Sequence, residues 1–257
     1  MSNKADQQAR PPSPQEVIDV LAEAREHGLI PPNDKTADML QTRLALGGLT
    51  FVEALAALRD VLAANAADKA LAATKTLFQP GDVVELCAIG TDGNVTALHG
   101  DLFDPEQEQA LLGFVRDQFG HRNLYVGICP RKPDMAGQRR RAKDVDVRCR
   151  RHVVLDLDFK DAPEVDKDWS RTLGALRTLG PVLVLHSGNG WQVWFEVEEQ
   201  AGAALAASTA PISEALVLIG SDAVHEPSRI MRLPFTLNIP NEDKRRRGAV
   251  LRLALPD

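Results

Sequence analysis

The feature that most constrains this chain is a short apolar run broken by two aspartates, RHVVLDLDF at residues 151–159. Its composition predicts a buried β-strand. Side chains alternate along a strand, so Asp156 and Asp158 should project side by side from one face. Carboxylates held that close repel each other unless they share a proton or a cation. Taken alone, the pattern fits either a metal site or a strand end whose aspartates face water.

Length and composition limit the class of protein. With 257 residues, of which 44% are hydrophobic, the chain can bury a large core. It has no apolar run long enough for a membrane span, and its start, MSNKADQQARPPSP, is polar and lacks a signal-peptide core. We therefore expect a globular, cytoplasmic protein with no membrane partner.

The cysteines predict neither a disulfide framework nor a zinc site. Cys87, Cys129 and Cys149 are few and scattered, without a C-x-x-C spacing. We expect them to be reduced structural residues. A zinc site that recruits His121 or His152 stays open, but no spacing supports it.

Positive charge is concentrated in two places, although the net charge is -6. Residues 131–151 carry nine Arg or Lys against three Asp, and residues 244–247 read KRRR. The net charge argues against a surface that coats nucleic acid everywhere. Each basic stretch is either a solvated face or a local contact for nucleic-acid phosphates.

Residues 1–12 are predicted to be disordered, and 13–76 to form a small helical module with an accessory role. Three amphipathic helices are expected in the module. The first begins with a capping box of Ser13 and Glu16 and ends at Gly28, the second covers about 35–46, and the third begins with a capping box of Thr50 and Glu53 and reaches about residue 75.

Residues 77–257 read as an α/β domain. Apolar runs and turn residues predict a hairpin and then alternating helices and strands, with a long basic loop before the aspartate strand. The expected elements are strands at 83–89 and 95–98, a helix from 104 or 105, a strand at 124–128, the loop at 131–150, a helix at 169–179, strands at 181–186 and 191–197, a helix at 201–219 that Pro211 interrupts or divides, and a strand at 250–255.

The turn SGNG at 187–190 has the glycines of a tight hairpin. Gly188 and Gly190 would let backbone amides approach an anion, Ser187 adds a hydroxyl, and Gln192 should lie at the mouth of the turn. By itself the motif most often forms only a turn.

The C-terminal segment is dense in polar residues between prolines. Arg229 and Arg232 lie three residues apart, with Asn238 and Lys244 further on. Arginine makes planar bidentate contacts with phosphate, which suits a nucleotide triphosphate or a template backbone. The alternative is a pair of surface arginines in salt bridges.

The ordered set of LDLD at 155–158, SGNGWQVWF at 187–195, SD at 221–222 and RIMRLPFTLNIPN at 229–241 resembles the archaeo-eukaryotic primase (AEP) superfamily. It is most similar to the primase-polymerase catalytic domain of phage, plasmid and other mobile-element replication proteins. The resemblance runs from about residue 78 to the C-terminus, with a family-like lead-in at FQPGDVVEL and YVGICPR, and leaves the N-terminal helices outside.

The resemblance assigns roles to particular residues. The metal-binding and catalytic acids fall on Asp156, Asp158 and Asp222, and the nucleotide-binding positions on Ser187, Gly188, Gly190, Gln192, Arg232 and Asn238. Two positions depart from the usual pattern: Gln192 stands where many members have His, and Phe235 stands where Gly usually follows the proline. A neutral glutamine cannot bind phosphate as a cation, and Phe235 predicts a different backbone.

The resemblance implies an RRM-like mixed sheet flanked by helices, using two Mg²⁺ or Mn²⁺ ions. It implies a template-dependent nucleotidyltransferase, a DNA primase, a DNA polymerase or both, that joins NTPs or dNTPs on a single-stranded DNA template and primer. No helicase motif is present, so we expect a separate helicase or replication protein. The expected template contacts are Arg139, Arg140, Arg141, Lys143, Lys244 and Arg245.

Two other functions remain open at this point. Paired carboxylates serve a metal-dependent nuclease equally well. Because of Gln192 and Phe235, a replication initiator or single-stranded-DNA-binding module with a degenerate site is the other alternative.

Overall fold

The structure is a computed structural model that describes residues 13–158, 166–188, 190–218, 221–222 and 225–257. The predicted disorder of residues 1–12 lies outside these ranges. The helices are α1 (Pro14–Glu26), α2 (Lys35–Ala45), α3 (Phe51–Lys75), α4 (Pro105–Gln118), α5 (Asp166–Arg177), α6 (Gly202–Leu218) and α7 (Glu242–Arg246). The strands are β1 (Val83–Ile89), β2 (Val95–Asp101), β3 (Asn123–Gly127), β4 (Cys149–Asp158), β5 (Leu183–His186), β6 (Gly190–Ala201), β7 (Ile230–Arg232), β8 (Leu237–Asn238), β9 (Arg252–Leu253) and β10 (Leu255–Pro256).

The strands form two four-stranded sheets and a short pair. The first sheet has the order β2-β1-β3-β7, the second has the order β10-β5-β6-β4, and β8 pairs with β9. Every pairing among these strands is antiparallel. The predicted α/β class, with a helix-flanked sheet core, is confirmed.

The second sheet is covered on both faces. On one side Leu155, Leu157 and Val193 pack with Leu173 of α5 and Leu216 of α6. On the other side Val154 and Trp194 join the core that contains the first sheet. Asp156 is two residues from Val154, so its side chain lies on the face turned toward the first sheet.

The N-terminal helices share their hydrophobic core with the first sheet. The Thr50–Glu53 capping box is confirmed, with both reciprocal hydrogen bonds present. The Ser13–Glu16 box is wrong, because the Ser13 side chain makes no capping hydrogen bond. Glu16 is instead buried, where it pairs with Arg245 at 3.1 Å. Whether residues 13–76 are a separate domain stays a prediction.

Two element predictions are corrected. Helix α6 continues through Pro211 without a break. The predicted final strand is divided, because the backbone of Ala254 bonds to Phe235 and Thr236 between two short strands. Strand β9 then pairs with β8, whereas β10 joins the second sheet beside β5. The chain therefore passes from the short β8–β9 pair directly into the second sheet.

None of the helices in the described ranges has the length and apolar character that crossing a membrane requires.

Candidate functional site

The aspartate strand lies where the sequence placed it. Strand β4 pairs with β6 so that Asp156 faces Gln192 and the backbone of Asp158 faces Gly190. Cross-strand partners share a face, so Asp156 and Gln192 project together toward the first sheet. The Asp158 side chain lies outside what the structure describes.

Asp222 and Asp156 are held next to each other by backbone hydrogen bonds. The Asp222 amide donates to the Asp156 carbonyl at 2.9 Å, and the Asp156 amide donates to Ser221 Oγ at 2.9 Å. Asp156 and Asp222 are both partly exposed. The fold therefore brings together two acidic residues that are 66 positions apart in sequence.

The carboxylates of Asp156 and Asp222 are suitable ligands for Mg²⁺ or Mn²⁺, since both ions prefer carboxylate oxygens. Among the described side chains, no group of three His, Cys, Asp or Glu residues is arranged to hold a metal ion. Asp156 and Asp222 supply two of the three expected carboxylates, and the third, Asp158, is one whose side chain the structure leaves out. Metal binding therefore remains a proposal.

The glycine turn closes the β5–β6 hairpin as predicted. The Ser187 amide donates to the Gly190 carbonyl at 2.8 Å, and Ser187 Oγ donates to the same oxygen at 3.2 Å. Gly188 has φ +93°, and a Cβ there would lie 2.6 Å from Asn238 Nδ2. Glycine is therefore required at 188 both for the backbone conformation and for the close approach of Asn238.

Gln192 and Arg232 connect the two sheets. Gln192 Oε1 accepts a hydrogen bond from the Arg232 backbone amide at 3.1 Å, and both residues are buried. Because its oxygen is held in this way, Gln192 is left with its Nε2 hydrogens as donors. The side chain can therefore offer a neutral donor to a ligand, in place of a histidine cation.

Arg232 is 5% exposed, and among the described residues its guanidinium is held by neutral groups. Nη1 donates to Asn123 Oδ1 at 2.9 Å, and Nη2 donates to Asn238 Oδ1 at 3.0 Å and Tyr125 Oη at 3.2 Å. Its carbon lies 4.4 Å from the Tyr125 ring centroid. Within the described part of the chain, no carboxylate lies within salt-bridge distance of Arg232. A buried cation without a counter-ion favours an anionic ligand.

Sequence reasoning missed Asn123 and Tyr125. Both lie on β3, where Tyr125 pairs directly with Arg232. Their alternation along a strand was visible in the sequence and indicated that they share a face. The pairing of β3 with β7 was not visible in the sequence, so nothing there connected Asn123 and Tyr125 to Arg232.

The expected template residues have different environments. Arg140 pairs with Asp146, Arg141 with buried Glu85, and Arg245 with buried Glu16. The other three are exposed, namely Arg139, Lys143 and Lys244. Half of the set is therefore already neutralised within the protein, and template contact by any of them remains a prediction.

All three cysteines are free and buried. Burial raises the thiol pKa to about 12 at Cys87 and about 11 at Cys129, and it also raises the pKa of Cys149. His152 lies between the Phe78 and Trp194 rings, and His121 contacts Arg59. The reduced, structural interpretation of the cysteines agrees with these positions.

No family model matches the sequence, and no curated protein matches it. Among solved structures, the fold is similar to the AEP domain of the cyanophage S-2L primase-polymerase, with 19% identity and a TM-score of 0.43, covering 72% of this chain and 87% of that one. It is also similar to the primase RepB', with 18% identity and a TM-score of 0.42, covering 74% of this chain and 56% of that one.

A second RepB' structure, the catalytic domain in complex with initiator DNA, gives 18% identity and a TM-score of 0.42 and covers 74% of this chain and 83% of that one. Likenesses this distant carry no argument about activity, so the functional case depends on the site itself.

Proposed function

We propose that this protein is a template-dependent nucleotidyltransferase of the primase-polymerase type, which joins nucleoside triphosphates on single-stranded DNA. The observation that carries the proposal is the buried Arg232 guanidinium. Among the described residues its side-chain partners are all neutral, and its backbone is joined through Gln192 to the sheet strand that pairs with the Asp156 strand. An anion-binding group and an acidic group on one inter-sheet surface suit a metal-bound triphosphate.

Different residues would bind different parts of the nucleotide triphosphate. Arg232, oriented by Asn123, Asn238 and the Tyr125 ring, would bind the triphosphate through its planar fork. Gln192 Nε2 and the Ser187–Gly190 turn would add neutral donors. Nucleotide phosphates would thereby lie beside β4, where the acidic residues are.

Asp156, Asp158 and Asp222 would hold the divalent ions. When bound, Mg²⁺ or Mn²⁺ would lower the pKa of the primer 3′-hydroxyl and neutralise the leaving pyrophosphate. The new bond joins the 3′-oxygen to the α-phosphorus, and the bond to pyrophosphate breaks. The protein supplies the alignment of these groups, which is the main source of catalysis in phosphoryl transfer.

The test is nucleotide incorporation on primed and unprimed single-stranded DNA, with ribonucleotides and deoxyribonucleotides in separate reactions. Asp156→Asn keeps the shape of the side chain but removes its charge. Incorporation should fall by more than about 100-fold, because a metal-binding carboxylate is lost. Asp134→Asn, at an exposed position on the 131–150 loop, is the matched control and should retain activity.

The same assay separates the alternatives. A nuclease would shorten labelled DNA without added nucleotides. In that case Asp156→Asn would abolish the shortening of the DNA, rather than the incorporation of nucleotides. A DNA-binding module with a degenerate site binds DNA but shows no metal-dependent nucleotide binding in calorimetry. Undiminished incorporation by Asp156→Asn would contradict the proposed function.

A further inference from the structure

Residues 225–229 form a connecting segment in the chain between Asp222, which lies beside Asp156, and Arg232, which would bind the nucleotide phosphates. On one side of it, the Asp222 amide bonds to the Asp156 carbonyl. On the other, Arg232 bonds through its amide to Gln192. The path of this segment therefore affects where Arg232 lies relative to the acids.

Side chains from the basic loop and from the start of β4 form hydrogen bonds with the backbone of the connecting segment. Arg150 Nη2 donates to the His225 carbonyl at 2.7 Å. Arg131 donates to the Pro227 carbonyl at 3.3 Å and to the Ser228 carbonyl at 3.2 Å. The Ser228 amide donates to Asp144 Oδ1 at 2.9 Å. Both the donor and the acceptor of Ser228 are thus bound by one loop.

The two arginines are placed for this role by burial. Arg131 is fully buried, and Glu85 Oε2 accepts from its Nη2 at 2.7 Å and from its Nε at 3.1 Å. Gly127 makes room for it, since a Cβ at that position would collide with Arg131 Nη2. Arg150 is 1% exposed and donates to Ser208 Oγ as well as to His225. Neither guanidinium is available to a nucleic acid.

We propose that Arg131, Asp144 and Arg150 are positioning residues, which hold the connecting segment and thereby align Arg232 with the acidic strand. The basic loop and the start of β4 then act inside the protein, through buried Arg131 and Arg150 and exposed Asp144, in addition to any template contact by the exposed cations of the loop. This inference rests on the proposed function, because the alignment matters for a reaction at that site.

Asp144 provides the cleanest test, since it is exposed and its loss leaves the buried arginines intact. Asp144→Ala removes the acceptor of the Ser228 amide, and Asp144→Asn keeps an oxygen there. Asp134→Ala is the matched control, because Asp134 is an exposed aspartate on the same loop and its loss changes the charge equally.

The first measurement is hydrogen exchange of the peptide that covers residues 225–232, made on the full chain without nucleotide. Asp144→Ala should exchange faster there than wild type, while Asp134→Ala and Asp144→Asn should match wild type. Exchange equal in all four proteins would overturn the proposal. This readout does not need activity, so it stands even if the proposed function fails.

The second measurement is single-nucleotide incorporation together with DNA affinity. Asp144→Ala should lower kcat by about tenfold through misplacement of the reacting groups, with unchanged DNA affinity, and Asp144→Asn should restore it. If the loop acted only as a template surface, both alanine variants would tighten DNA binding alike and leave kcat unchanged. That result would also overturn the proposal.

Discussion

Two groups of arginines in this protein differ in what neutralises them. In the basic loop and at the start of β4, Arg131 and Arg141 share the buried carboxylate of Glu85, while Arg148 and Arg151 both pair with buried Asp82. At the inter-sheet site, Arg232 is buried too but is held only by amide and phenol oxygens among the described residues.

The difference shows that the density of positive charge in the sequence does not reveal which cations are already paired with a carboxylate. A cation that already shares a buried carboxylate contributes to folding, and an anionic ligand would have to compete with that partner. A buried cation with neutral partners has lost its hydration without gaining an opposite charge, so an anionic ligand can supply the missing negative charge. Arg150 is an intermediate case, since its acceptors among the described residues, Ser208 Oγ and the His225 carbonyl, are also neutral, but one of them belongs to the backbone of the connecting segment.

The largest expected effect is on stability, at Glu85. Glu85→Gln removes the charge shared by Arg131 and Arg141 and should lower the free energy of unfolding by about 3 kcal/mol or more. Urea denaturation followed by circular dichroism measures it. Glu199→Gln, which breaks the exposed contact with Arg151, should change the free energy of unfolding far less, because water screens an exposed pair. Equal losses would contradict the distinction between buried and exposed pairs.

The next effect is on nucleotide binding, at Arg232. Arg232→Lys keeps the charge but loses the planar fork, so the Kd for nucleoside triphosphate should rise by about 10- to 100-fold, as expected for lost hydrogen bonds to a charged group. Calorimetric titration with Mn²⁺ measures it. The control is Arg246→Lys, at a surface ion pair with Glu242. An unchanged Kd would show that Arg232 does not bind the phosphates.

A smaller effect is expected from the glycine turn. Gly188 and Gly248 have nearly the same backbone, with φ +93° and +90°, but only Gly188 has another residue within 4 Å of an added Cβ. Replacement of either by alanine adds backbone strain of about 1 kcal/mol. Gly188→Ala should also displace Asn238 and weaken nucleotide binding, which Gly248→Ala should leave unchanged. Similar nucleotide affinities in the two variants would contradict the contact.

The smallest effect concerns pH. Burial lowers the pKa of His152, and the unfolded chain therefore binds a proton at this residue more readily than the folded protein. Its contribution to stability is complete above the ordinary histidine pKa and decreases as the pH falls below about 6.5. His152→Leu should reduce the loss of stability between pH 7 and pH 5.5, measured by urea denaturation. A steeper loss in the variant would contradict the buried neutral form.

The parts of the site whose structure depends on residues close together in the sequence could be predicted from the sequence. Alternation along one strand placed Asp156 on a defined face, and the glycines of SGNG predicted the hairpin that the backbone of Ser187 and Gly190 closes. The α/β class followed from the same local patterns. A different backbone at Phe235 stays a prediction. Phe235 has φ +59°, a left-handed conformation that glycine adopts most easily.

The sequence by itself therefore determined most of the long strands and helices, the glycine turn and the Thr50–Glu53 cap, because those depend on residues within a few positions of each other. Only the tertiary structure decided which charges meet. Arg131 meets Glu85 across 46 positions, and Arg245 meets Glu16 across 229. Asn123 and Tyr125 joined Arg232 only when β3 paired with β7. The physical reason is that the state of a buried charge depends on its partner, and the partner is chosen by the packing of distant elements.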